Sequence, residues 1–96
     1  MRLKLKEIAD IKSSAKACLG DDAKVFLFGS RVDDSKKGGD IDLLILTNEK
    51  KEFKDISRMR INLYKAMGEQ KIDIVNFAIT DKNPFKELAL EHSIEL

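Results

Sequence analysis

Residues 39–45 read Gly39-Asp40-Ile41-Asp42-Leu43-Leu44-Ile45, and the fold turns on this stretch. Its apolar, partly β-branched content predicts a strand over Asp40–Thr47. Alternate residues of a strand face the same way, so Asp40 and Asp42 share one side, about 7 Å apart along the backbone, while Ile41 points to the other. Leu43 to Leu46 is apolar on both faces, the pattern of a central strand covered by helices. Two like charges at about 7 Å repel by roughly 2 kcal/mol at an effective dielectric near 20. That is a noticeable part of a typical stability of about 5 to 15 kcal/mol, so a compensating cation is expected. Oxygen-rich, carboxylate-lined sites are what Mg²⁺ requires, its octahedron completed by waters and substrate phosphates.

Upstream, Lys24–Phe28 is a short β-branched and aromatic run between Asp21-Asp22 and Gly29, and predicts a first strand aimed at Gly29. Gly29 lets the backbone approach an anion closely, and Ser30 adds a hydroxyl where a helical turn would make a nest of N–H groups. Ser30 to Gly39 is polar and reads as a loop with a turn of helix at its start. Downstream, Lys71–Ile79 predicts a third strand carrying Asp73 between Ile72 and Ile74, a neighbourhood where an unpaired charge is expensive. If strands two and three are neighbours, Asp73 faces Asp40 and Asp42, and the three carboxylates form a cluster suited to two-metal phosphoryl chemistry.

Helices fill the intervals. Leu5, Ile8, Ile11, Ala15, Cys18 and Leu19 recur at helical spacing before Gly20, and Phe53, Ile56, Met59, Arg60, Leu63 and Met67 do so before Gly68. Asn83-Pro84 starts a last helix, Pro84 to about His92. The expected fold is α/β, a small mixed three-stranded sheet flanked by helices, in a single domain over residues 1–96.

Charge sharpens the picture. Eighteen Lys and Arg stand against 17 Asp and Glu, which leaves no positive excess to hold extended nucleic acid. One cysteine, Cys18, permits no intrachain disulfide and reads as core packing; a reducing, cytoplasmic setting is expected. The N-terminus has no apolar segment of a signal peptide, and no apolar run is long enough to span a bilayer, so no membrane role is expected. His92 reads as a helix-end or surface residue, and Tyr64 as packing or a rim contact. Lys36 and Lys37 read as solvated, and Arg31 stands evenly between phosphate contact and surface.

Phe28-Gly29-Ser30-Arg31, then Gly39-Asp40-Ile41-Asp42-Leu43-Leu44-Ile45, then Lys71-Ile72-Asp73-Ile74-Val75 together resemble the DNA polymerase β-like nucleotidyltransferase superfamily. Within it the chain looks like the minimal nucleotidyltransferase domains of antitoxin type. The resemblance implies that Gly29, Ser30 and Arg31 hold the triphosphate of ATP, and that Asp40 and Asp42 hold its Mg²⁺. It implies that Asp73 joins a second ion, that a hydroxyl attacks the α-phosphorus, and that pyrophosphate leaves. It further implies a helical HEPN-type toxin as partner, with AMP placed on one of its tyrosines. The alternative is a module that neutralises or scaffolds its partner by contact alone. Asp33 and Asp34 depart from what a triphosphate-binding loop needs, since inward-pointing acids oppose the phosphates.

Overall fold

The computed structural model describes residues 1–33 and 39–96. In chain order it has helix α1 (Leu5–Leu19), strand β1 (Lys24–Phe28), a 3₁₀ turn (Gly29–Val32), β2 (Ile41–Thr47), α2 (Phe53–Met67), β3 (Ile72–Ala78), α3 (Pro84–Glu91) and β4 (Ile94–Glu95). The sheet runs β3-β2-β1-β4. β1 is antiparallel to both β2 and β4, and β3 is parallel to β2, reached through α2. The sheet is therefore mixed, as expected, but it has a fourth strand. Ile94 and Glu95 pair with Leu27 and Phe26, so the residues just after the last helix return to the sheet. Two residues are too short a run for any period to announce.

Strand alternation splits the core. Ile41, Leu43 and Ile45 of β2 join Leu27, Ile72 and Ile74 beneath α1 and α2, where Ile11, Met59 and Leu63 are wholly buried. Leu44 and Leu46 point the other way, to a smaller cluster with Ala89 of α3 and the half-buried Phe26, Phe28, Val75 and Phe77. A strand apolar on both faces thus lies between two others, each face covered by helix. Leu5 and Phe53, placed on the helical stripes by spacing, are 86% and 81% exposed at the helix starts. Cys18 packs on the larger cluster and accepts a hydrogen bond from Asn62 Nδ2 at 3.2 Å.

The turns follow local chemistry. Asn83 caps α3 by accepting from the Phe85 and Lys86 amides at 2.8 and 3.2 Å, with Pro84 opening the first turn. His92 is exposed at that helix's C-cap. Lys86 is buried, yet its ammonium donates to the carbonyls of Ile79 and Asp81 at 2.7 Å each, fastening the β3–α3 turn. No helix among the described residues is long and apolar enough to cross a membrane.

Candidate active site

The end of the sheet where β1 stops and β2 begins collects the acids. Phe28 pairs with Asp42 across β1–β2, and Asp42 with Asp73 across β2–β3, so these three side chains form one row over three strands. Alternation puts them on the α3 side, opposite Ile41, Leu43, Ile72 and Ile74. Asp73 is accordingly exposed. The expectation that Ile72 and Ile74 form its surroundings is corrected: they point into the core while Asp73 points out. What brings Asp73 to Asp42 is register, not the cost of burial.

Asp42 is half-buried, and its carboxyl is pushed above the ordinary Asp range by burial first, then by the charges of Asp73 and Asp40, with a hydrogen bond to Asp73 adding to the effect. Two facing carboxyls share a proton more readily than they ionise together. Asp40 sits just ahead of β2, its Oδ2 3.4 Å from Lys71 Nζ. Among the described residues no three acids, His or Cys are already spaced around one point as metal ligands. Asp42 and Asp73 meet, while Asp40 is paired with the lysine.

The preceding turn closes onto Asp42. Gly29 has φ 77°, and a Cβ there would collide with Asp42 Oδ2, so glycine is required by both conformation and space. Gly39 has φ 91°, and a Cβ there would collide with Ser30 Oγ, which brings the serine hydroxyl against the end of the loop. The 3₁₀ turn Gly29–Val32 is the predicted turn of helix after strand one. Arg31 donates from Nε to the Gly39 carbonyl at 3.3 Å and from Nη1 to the Arg2 carbonyl at 3.0 Å, so two of its donors serve backbone carbonyls, one at the end of the loop and one in the N-terminal segment. Asp33 is exposed, and Asp34, Lys36 and Lys37 lie outside the described residues.

Two residues near the site were not singled out in the sequence. Arg2 donates to the carbonyls of Ser30 and Asp33 at 3.4 Å each, and its amide donates to the Arg31 carbonyl at 2.8 Å, bracing the turn from the N-terminal segment. Nothing in its sequence neighbourhood signals this. Lys71 had a signal: it precedes Asp73 by two residues, as Asp40 precedes Asp42. A shallow cavity of about 690 Å³ opens beside Lys71, lined by Ile61, Tyr64, Lys65, Glu69 and Gln70. Tyr64 is therefore a rim residue, 43% exposed.

The family model described as "Polymerase beta, Nucleotidyltransferase" matches residues 6–96. No curated protein is matched.

Proposed function

The chain belongs to the polymerase β nucleotidyltransferase family, and from that premise we propose that it moves AMP from ATP to a hydroxyl of a protein partner. The observation that carries the reading is the row Phe28, Asp42, Asp73, with Gly29 closed onto Asp42. In this reading Asp40, Asp42 and Asp73 are the acids that hold Mg²⁺. The donor set fits that ion: it is all carboxylate oxygen, with Asp42 and Asp73 opposite each other in register and Asp40 two residues ahead of Asp42 on the same side. Bound there, Mg²⁺ would supply neutralisation of phosphate charge and activation of the acceptor hydroxyl, with two ions as the resemblance implies.

The chain's own residues do the positioning. Gly29, with no side chain, lets the turn close onto the Asp42 carboxylate, and Ser30 presents its hydroxyl against Gly39 at the same turn. Asp73, exposed at the rim, takes the proton of the acceptor hydroxyl as its oxygen bonds to the α-phosphorus. The bond from the α-phosphorus to the bridging oxygen breaks, and pyrophosphate leaves with the electron pair. No covalent enzyme intermediate forms.

The acceptor side is aromatic. Phe28, opposite Asp42, meets Phe85 edge to face at 5.9 Å, and Phe77 lies 6.4 Å from the same ring. Phe85 is 48% exposed. An apolar shelf ending at carboxylates suits a tyrosine, whose ring packs while its hydroxyl reaches the acids. This supports a tyrosine as the modified residue; the HEPN-type toxin as partner follows from the resemblance. The test is to incubate the chain with Mg²⁺, ATP and that partner, and to read the partner's intact mass. Addition of one AMP by the wild type and none by Asp42→Asn is expected; equal modification by both refutes the assignment of the acids.

A second reading, neutralisation by contact alone, is favoured by the exposed apolar side chains of α3 and by the absence of a ready three-acid cage among the described residues. An Asp40→Asn, Asp42→Asn double variant that still neutralises the partner fully selects it.

A further inference from the structure

Lys71 stands at the edge of the carboxylate row. The Ile41 amide donates to its carbonyl at 3.0 Å, one step before the Ile41–Ile72 pair that begins the β2–β3 ladder. The alternation that gathers Asp42 and Asp73 therefore sets Lys71 beside Asp40 on the same face. Its Nζ lies 3.4 Å from Asp40 Oδ2, with the two side chains 71% and 41% exposed. The lysine proton is held more tightly than usual, first through its hydrogen bond to Asp40 and that residue's charge, then through Asp73 and Asp42. One ammonium thus feels all three acids. An exposed ion pair of this kind contributes little to folding, so stability gives no reason for it.

We propose that Lys71 is a resident cation that competes with the divalent metal for the acids, so that bare metal binds weakly and metal accompanied by a triphosphate binds well. The inference rests on reading Asp40, Asp42 and Asp73 as the metal site. With no nucleotide present, a divalent ion entering among the acids meets the ammonium already neutralising part of their charge, and must either displace it or sit beside it. A triphosphate brings anionic oxygens of its own, which give the displaced ammonium a new partner within reach of the same strand. The chain then takes up metal and nucleotide together, and free metal does not lock the site shut. A unit charge about 6 Å from a divalent ion, in a medium close to water and with salt screening, changes the affinity by about three- to tenfold.

Mn²⁺ binding to the purified chain without nucleotide, followed by electron paramagnetic resonance, tests this on the wild type, Lys71→Gln, Lys71→Arg and Asp42→Asn. Lys71→Gln is expected to bind Mn²⁺ about three- to tenfold more tightly than wild type, since one nearby positive charge is gone. Lys71→Arg should match wild type, and Asp42→Asn should lose binding. Adding a non-hydrolysable ATP analogue should erase or reverse the advantage of Lys71→Gln. Wild-type binding with an unchanged or weaker Lys71→Gln overturns the role of Lys71 and leaves the metal site standing. Failure of wild type and Lys71→Gln alike, with and without the analogue, removes the metal site and this proposal with it.

Discussion

Replacing Asp42 by Asn should make the metal-free protein more stable while destroying its response to Mg²⁺. Asp42 faces Asp73 in register, and neighbouring strands are about 4.8 Å apart, so the charges lie about 5 Å from each other. At effective dielectrics of about 20 to 40 that repulsion is roughly 1.5 to 3 kcal/mol. Asp73 is exposed and Lys71 offsets part of the charge, so we discount the figure to about 1 kcal/mol. Asparagine keeps the shape and a hydrogen bond to Asp73 without the charge. For a domain of this size 1 kcal/mol corresponds to about 4 to 8 °C in Tm. The pH dependence has a definite sign. Because the folded-state pKa of Asp42 is raised above the ordinary 3.8, the folded chain binds this proton more readily than the unfolded one. Wild-type stability therefore falls relative to Asp42→Asn as pH rises from near that ordinary value through the raised one, and the deficit stays constant above it. Differential scanning fluorimetry in chelator, from acid to neutral pH, reads the gap directly. Mg²⁺ at ten times its Kd should then stabilise the wild type by about 1.4 kcal/mol and the variant hardly at all. A variant no more stable than wild type in chelator, or an equal Mg²⁺ effect on both, refutes the argument.

Other substitutions test the scaffold around the acids. Gly29→Ala forces a side chain into a left-handed backbone and against Asp42, and should cost about 2 kcal/mol or more in urea unfolding, with nucleotide binding lost as well. Lys86→Met leaves the carbonyls of Ile79 and Asp81 without their donor; a loss of about 1 to 3 kcal/mol is expected from denaturant midpoints at unchanged slope. Asn83→Ala removes the cap of α3 and should cost about 0.5 to 2 kcal/mol by the same measurement. Leu44→Ala, which empties a wholly buried position of the smaller cluster, should cost about 2 to 5 kcal/mol in thermal or chemical unfolding.

Much of this site was legible because strand alternation is a local rule. Asp40-Ile41-Asp42 fixes two acids on one side of β2 whatever surrounds it, and the double-faced apolar run behind it predicts a central strand. The same rule, applied to Ile72-Asp73-Ile74, turns Asp73 away from its flanking isoleucines; reading their apolar character as its environment ignored that. Pairing was harder, since a parallel ladder between β2 and β3 depends on the crossover through α2 and leaves no mark at either strand. β4 has no period to read. Lys71 shares the face of Asp73 by its spacing, and only the partner strand shows that its neighbour is Asp40. Arg31 stands evenly in sequence between phosphate contact and surface because the Gly29-Ser30 turn is expected to bind an anion, whereas its geometry depends on carbonyls at residues 2 and 39.

The acids sit where they do because of the leucines behind them. Asp42 is followed directly by Leu43 in the larger cluster and Leu44 in the smaller, and Asp73 by Ile74 and Val75 in the same alternation. A one-residue slip of β3 along β2 would carry Ile72 and Ile74 to the α3 face and Asp73 beneath α1 and α2. Each face of the sheet thus opposes the slip, one by exposing isoleucine and the other by burying a carboxylate. The repulsion between Asp42 and Asp73 is tolerated because register is enforced by the apolar residues packed in the two clusters. Loosening that core, as Leu44→Ala does, should separate the two carboxylates before it unfolds the sheet, so the raised Asp42 pKa should relax toward 3.8 while far-ultraviolet circular dichroism stays that of the wild type. Carboxyl titration by carbon-detected NMR would register this, and an unshifted Asp42 in a measurably loosened core would show that the row is held by the turn at Gly29 instead.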